Sequence, residues 1–443
     1  MNATQLLIRY GFKASDVNGK FNGQPSHAGK LLNQTLVNIG ATIDELGFVS
    51  EQSWAAALKT ASSQVDRCGG ECLVNPVEHE LPLADIDLSM RGICQWMNAL
   101  GMYTIHSCDG HGRRTPTVGT LTRLTRKQIE LLRMIAPEGM AIRPREKAIE
   151  FDCGDRKELL LQLAERLYEI HLNPCSLSRY EAEQFKHRLI EWLSVPGESG
   201  KEAQIRQLLR GRLRSIADDL FVDRAGNLCA AIYCGEGPTV LLSAHMDIYQ
   251  ELENDRCIIQ EGTILRSSNG ILGADDRAGI AVIMEVADNI HQLQFNGTLK
   301  IAFTVEEEIG LVGSQKLDRY FLADVDAAIV VDRRGTRDIV TSCRGVIPFC
   351  SEEYGMLFEK AGRLADMNDW KVTAGGSSDA KILAQSFGIP SVNLSAGYMN
   401  EHTEWETVDY VAAYETSRLI KSFLNQQLST AIKTGGRDNL LPD

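Results

Sequence analysis

The sequence has no uninterrupted apolar stretch long enough to cross a bilayer. Its opening residues, MNATQLLIRYGFKASD, lack the basic region and long apolar run of a secretory signal. A soluble, cytoplasmic protein with no membrane partner is therefore expected. Positive charge is also scarce: 46 Lys and Arg stand against 59 Asp and Glu, a formal net charge of −13. That balance argues against a nucleic-acid groove or an anionic membrane surface as the main partner, and is compatible with amine-bearing substrates. No disulfide framework is evident. The eleven cysteines are scattered and odd in number, which suits free thiols in a reducing compartment.

What is present is the composition of an ordinary globular protein, 44% hydrophobic and 24% charged. A chain of 443 residues exceeds what one core usually supports, so two domains are expected. Residues 1–80 read as a helical and irregular segment, with a helix near Ser53 to Gln64. Residues 81–175 read as a small α+β domain with an antiparallel sheet. Its helices are expected within Asp87–Leu100, Thr125–Ile135 and Lys157–Ile170. Its strands are expected at Met102–Ser107, at Thr117–Leu121 and as a pair within Met140–Phe151. The polar stretch LNPCSLSRY, Leu172 to Tyr180, reads as a link. Within this domain the loop HSCDGHGRR offers His106, Cys108 and His111 as soft-metal ligand types, with Cys68 and Cys72 upstream. The spacing matches no ordinary zinc template, and a Gly-rich turn between strands would look similar.

From about 180 to 428 apolar strands alternate with amphipathic helices, which predicts an α/β domain: a mostly parallel or mixed sheet sandwiched by helices. Strands are expected at Val240–His245, Leu299–Val305, Ala327–Val331 and Ile389–Leu394, and helices at Arg277–Ile290, Ala380–Phe387 and Val408–Asn425. Residues 429–443 read as a polar tail. In such sheets chemistry sits at the carboxyl ends of the strands. There VLLSAHMDIYQ ends in His245-Met246-Asp247, an imidazole and a carboxylate two residues apart and so on one side of a strand. The pair suits either a metal ligand with the acid that orients it or a hydrogen-bonded strand end.

Further acids and a histidine follow at other strand ends. Asp275 and Asp276 enter a helix, Glu306, Glu307 and Glu308 close a strand, Asp332 ends another, and His402 lies in the loop after the last core strand. Singly, each has an ordinary reading as a helix-start acid or a solvated loop. Jointly they supply what two zinc ions require: nitrogen and oxygen ligands with one carboxylate shared.

The segments SVPGESGKE, AHMDIY, GADDRAGIA, TVEEEIGLVGS, VVDRRG, GGSSDAKILAQSFGIPSVNLS and NEHTEWE resemble, in order, those of the co-catalytic di-zinc exopeptidases. That group includes aminopeptidases, peptidase T, carboxypeptidase G and acetylornithine deacetylases. The resemblance implies two Zn2+ or other divalent ions. His245 and Asp332 would bind one, Glu308 and His402 the other, and Asp275 both. It implies Glu307 as general base and Asp247 as the acid orienting His245, and leaves Asp276 its helix-start role. The frame within the glutamate triplet rests on the following Ile309-Gly310.

The resemblance, in which aminopeptidases tend to carry Asp at the position of Asp332, leans towards an aminopeptidase acting on short peptides, and a free substrate amine suits an acidic site. Against this, Arg333, Arg334 and Arg344 are candidates to bind a substrate carboxylate, as a carboxypeptidase, dipeptidase or N-acyl amino acid deacylase would need. A non-catalytic binding protein on the same fold would show broken ligands or a missing base, and neither is found. Only Arg333 to Ala374 lie between Asp332 and the GG segment, too few for the lid domain of peptidase T. A lidless core is therefore expected, with the N-terminal domain covering the active site or mediating homo-oligomer formation.

Overall fold

The apolar run Thr239–His245 forms a strand buried along its whole length. Its alternate residues serve two cores. Val240, Leu242 and Ala244 join one with Ile301, Phe303, Ile329 and Val331, while Leu241 joins the other with Ala302, Ala328 and Val330. A strand buried on both faces needs no polar side, which is why the sequence reads as a continuous apolar run. Each fully buried Val or Leu contributes about 1.5–3 kcal/mol.

These features belong to a computed structural model, which describes residues 2–18, 20–21, 24–65 and 80–425. Cys68, Cys72 and the tail 429–443 lie outside the described residues. The described cysteines are all free. Among the described residues no helix is long and apolar enough to cross a membrane. The chain divides into two units, Met1–Glu181 and Ala182–Asp443.

The second unit is built on a mixed nine-stranded sheet. Its centre is four parallel strands in the spatial order Thr298–Thr304, Thr239–His245, Ala327–Arg333 and Ser391–Ser395. Antiparallel strands flank them: Leu228–Tyr233 and Asp219–Val222 on one side, Asp338–Cys343 on the other. The register sets Thr304 opposite His245 and Val330 opposite Ser243, so the four strands end close together. Helices Ala274–Asn289, Glu352–Leu364 and Tyr410–Asn425 contribute to the larger core, and Asp379–Phe387 to the smaller. Helix Ala274–Asn289 lies so close to the sheet that a Cβ at Gly279 would come within 2.0 Å of the Val331 carbonyl oxygen.

Residues 333–374 add strands Asp338–Cys343, Ile347–Pro348 and Lys371–Gly375 and helix Glu352–Leu364 to this body. No separate lid occupies that stretch.

In the first unit a four-stranded antiparallel sheet runs in the order Thr104–Cys108, Thr117–Thr120, Ala148–Asp152, Ala141–Pro144. Residues before and after position 80, read separately in the sequence, share one core that runs from Leu6 and Trp54 to Trp96, Phe151 and Leu167. Trp96 shows why: its ring packs edge-on to Tyr168 while its Nε1 donates to the Ile8 carbonyl at 2.8 Å. Arg9 joins the same parts, donating to Glu51 and to Glu165 at 2.9 Å each.

The expected link Leu172–Tyr180 is instead mostly ordered structure. Asn173 caps a short turn at Pro174–Ser176, and helix Leu177–Leu193 starts directly after it. A proline in the first turn is compatible with a helix start, so its presence does not mark a linker.

Trp96→Ala is expected to destabilise the protein by about 3–5 kcal/mol. Phe48→Ala, at a side chain 93% exposed, is expected to stay within about 0.5 kcal/mol. Urea unfolding of the two variants measures both.

Candidate functional site

The carboxyl ends of the four parallel strands bring the acids and histidines together. His245 closes its strand with Nε2 3.0 Å from Asp275 Oδ1 and 3.7 Å from Asp332 Oδ1. His402, arriving on the loop after the last core strand, has Nε2 3.3 Å from Asp275 Oδ2 and 2.8 Å from Glu308 Oε2. Two donor sets result, His245–Asp275–Asp332 and Asp275–Glu308–His402, each with its donor atoms within 4.8 Å of one another. Asp275 belongs to both and turns one oxygen to each histidine.

The donor chemistry fits a pair of divalent ions. Each set has one imidazole and two carboxylates, the mixture zinc accepts, and the shared carboxylate is of the kind that would serve both ions of a two-ion centre. The electrostatics agree with that fit. Hydrogen bonds to Asp275 and Glu308 push the His402 imidazole up to about 10. Burial opposes a charge on His245, but its bonds to Asp247, Asp275 and Asp332 outweigh burial and raise it well above the ordinary value. Burial, helped by the neighbouring carboxylates, pushes Asp332 up to about 7. Burial, with Asp332, Asp379 and Asp275 nearby, pushes Glu307 up to about 9. Carboxylates this crowded and this dry attract whatever positive charge is available.

Asp247 ties the cluster together. His245 Nδ1 lies 3.0 Å from the Asp247 carbonyl oxygen and 3.4 Å from its Oδ1, which turns Nε2 towards Asp275 and Asp332. The same fully buried carboxylate accepts from the Glu307 and Glu308 amides at 3.0 and 3.1 Å and from Ser199 Oγ at 2.7 Å. Although burial would raise its pKa, the bonds from His245, Ser199 and the Glu307 amide bring it down to about 2. Glu306 turns elsewhere: its amide donates to Glu202 Oε1 at 3.1 Å, and its backbone takes a φ of 53°.

Supporting residues that the sequence did not reveal complete the geometry. Glu406, buried and four residues beyond His402, accepts from the amides of Gly273, Ala274 and Asp275 at 2.7, 2.8 and 3.0 Å. It therefore fixes the turn carrying the shared aspartate to the loop carrying His402. Tyr398 Oη donates to Asp332 Oδ1 at 3.0 Å, and Asn393 brackets the Asp332 backbone with two bonds of 2.9 Å. The Tyr249 ring stacks on His402 with centroids 4.3 Å apart. Asp276 accepts from the Gly279 amide at 3.0 Å, a helix-start bond, and also from the His245 amide at 3.3 Å. In the GGSSDA segment, Asp379 accepts from Thr304 Oγ1 at 2.6 Å.

A cleft of about 660 Å³ opens beside His402, lined by Arg334, Asn400, Glu401, His402, Thr403 and Trp405. Neither Arg333 nor Arg344 lines it. Arg333 is held by Asp338 at 3.1 Å, whereas Arg334 reaches the cleft and pairs there with Glu401.

Residues 255–345 match the model of the M42 glutamyl aminopeptidase family. The fold is similar to that of the aminopeptidase PepT of Bacillus cereus: 18% identity, a TM-score of 0.51, 56% of this chain and 99% of that one covered. Over residues 255–345 the chain is similar to the M42-type metallopeptidases, and its fold is that of the PepT structure. Among curated proteins it is 29% identical over 140 residues to YqjE of Bacillus subtilis, and 33% identical over 99 residues to a peptidase T-like protein of Yersinia pestis. Those alignments cover 29% and 22% of this chain and span only 38% and 24% of the relatives' own lengths.

Removing the joint should loosen the centre without emptying it of ligands. Asp247→Ala is expected to weaken zinc binding about 10–100-fold, as read by chelator competition on the folded protein. An unchanged affinity would show that the His245 ring and the Glu307–Glu308 backbone hold their places without it.

Proposed function

We propose that this protein is a metal-dependent aminopeptidase that removes N-terminal residues from short peptides. The observation that carries the reading is the pair of donor sets sharing Asp275, with the Glu307 carboxyl buried among them. In this reading His245 and Asp332 hold one divalent ion, Glu308 and His402 the other, and Asp275 both, with zinc the ion best matched to the donors. Such a pair supplies Lewis acidity when bound, polarising a carbonyl and lowering the pKa of a water towards neutrality.

The chain's own residues do the rest. Glu307 takes the proton of the attacking water and returns it to the leaving amine, which needs a carboxyl whose affinity for protons is raised and whose position is fixed. Burial raises that affinity, and the divalent ions the centre would hold offset the rise, so that the carboxyl is free to accept a proton. The bond from the Glu307 amide to Asp247 fixes the position. Asp247 also holds the His245 ring, and Glu406 holds the turn of Asp275 against the His402 loop.

The choice of an amine over a carboxylate substrate end rests on charge. Two of the three candidate arginines are already answered by acids, Arg333 by Asp338 and Arg334 by Glu401. A guanidinium so paired is poorly placed to clamp a peptide carboxylate. With Arg334 so paired, no free guanidinium among the described residues lines the cleft to hold a carboxylate, which favours recognition of the substrate amine.

Glu307→Gln is expected to keep both metal ions and to lower turnover by about 10²–10⁴-fold. Metal analysis together with a panel of aminoacyl amides, dipeptides and N-acetyl amino acids measures both. Turnover retained in the metal-loaded variant would contradict the role given to Glu307. Hydrolysis confined to the N-acetyl amino acids would replace the aminopeptidase reading by a deacylase using the same centre.

A further inference from the structure

The loop His106–Arg114 of the first unit gathers a different set of donors. Strand Thr104–Cys108 leads into it, and the chain then turns sharply because Gly110, His111 and Gly112 all take positive φ, 76°, 48° and 72°. Asp109 stabilises the turn by accepting from the His111 amide at 2.9 Å. Asp87, from the segment ahead of helix Arg91–Ala99, holds the loop from outside by accepting from the Asp109 amide at 2.9 Å. The donor atoms of Asp87, Cys108 and His111 consequently lie within 4.8 Å of one another. His106 is not among them. Its ring covers Gly119 on the neighbouring strand, where an added Cβ would come 2.0 Å from the His106 Cε1.

We propose that Asp87, Cys108 and His111 form a binding site for a zinc-type divalent ion. Thiolate, imidazole and carboxylate together are a zinc donor set, whereas magnesium and calcium select oxygen alone. The surroundings are those of a ligand shell. Asp109 Oδ1 lies 3.1 Å from His111 Nδ1, so it holds the ring from behind and leaves Nε2 for the ion. Lys157 fixes the other oxygen of Asp109 at 2.6 Å. The Gly110 amide donates to Cys108 Sγ at 3.4 Å, which fixes the sulfur within the loop.

Three protein ligands would leave a fourth position on the ion, and the loop is reachable from solvent, with the His111 side chain 71% exposed. The site is thus of the open kind that takes water or an exogenous ligand, in contrast to a closed structural site.

Cobalt(II) added to the full-length protein tests the proposal. A thiolate ligand produces a sulfur-to-cobalt charge-transfer band in the near ultraviolet that imidazole and carboxylate ligands do not. The centre around Asp275 contains no cysteine among its donors, so the band, together with its loss in Cys108→Ser, reports this loop whatever becomes of the aminopeptidase reading. The band is expected in the wild type, to disappear in Cys108→Ser, and to persist in His402→Ala. His111→Asn, at an exposed position where asparagine tolerates the left-handed backbone, is expected to weaken cobalt binding by at least about tenfold. Asp109→Asn is expected to weaken it by about 10–100-fold. A wild type without the band under excess cobalt, or the same band in Cys108→Ser, would overturn the proposal.

Discussion

Like charge, buried and crowded, is the constraint on which the second unit depends. Asp275, Asp276, Asp332 and Asp379 are all buried or nearly so, with Glu307 among them. Carboxylates taken out of water repel one another strongly unless positive charge or donated hydrogen bonds answer them. The fold answers in part with His245 and His402, and in part with backbone amides. What those leave unsatisfied is a strong demand for cations at two places on either side of Asp275. Folding and metal affinity are in this sense one problem.

The solution distributes each contact over distant parts of the chain. Parallel strand register brings His245 level with Thr304 and leaves Asp332 two residues past the Val330–Ser243 pair. The loops that follow are then cross-braced. Asp247 connects the end of the central strand to the Glu307–Glu308 backbone, and Glu406 connects the His402 loop to the turn of Asp275. Bracing of this kind fixes Glu307 and the neighbouring donor side chains without relying on the loops' own rigidity, and rigid positioning is what allows buried groups to act without reorganising first.

Much of this was legible in the sequence because strand ends announce themselves. Each of the runs Val240–Ala244, Leu299–Val305 and Ala327–Val331 is apolar and stops abruptly at an acid or a histidine, and the structure gathers those stops at one edge of the sheet. The supporting residues carry no such mark. Glu406 is one acid among several in NEHTEWE, and only the fold brings it to Gly273–Asp275, some 131 residues away. Tyr398 and Ser199 likewise have ordinary surroundings in the sequence. Strand Asp338–Cys343 carries no such mark, being six residues long and paired with strands that come later in the chain. Helix Glu352–Leu364, by contrast, buries Tyr354, Phe358 and Ala361 at helical spacing, a signal the sequence does carry. In the first unit the loop cysteine and His111 stood out, but their third companion is Asp87, which no local spacing connects to them.

Anomalous diffraction from zinc-loaded crystals, recorded at the zinc edge, tests the central claim most directly. The account predicts two peaks flanking Asp275, about 3.5–4 Å apart, one against His245 and Asp332 and the other against Glu308 and His402. A single peak there, or none with the protein saturated in zinc, would contradict it.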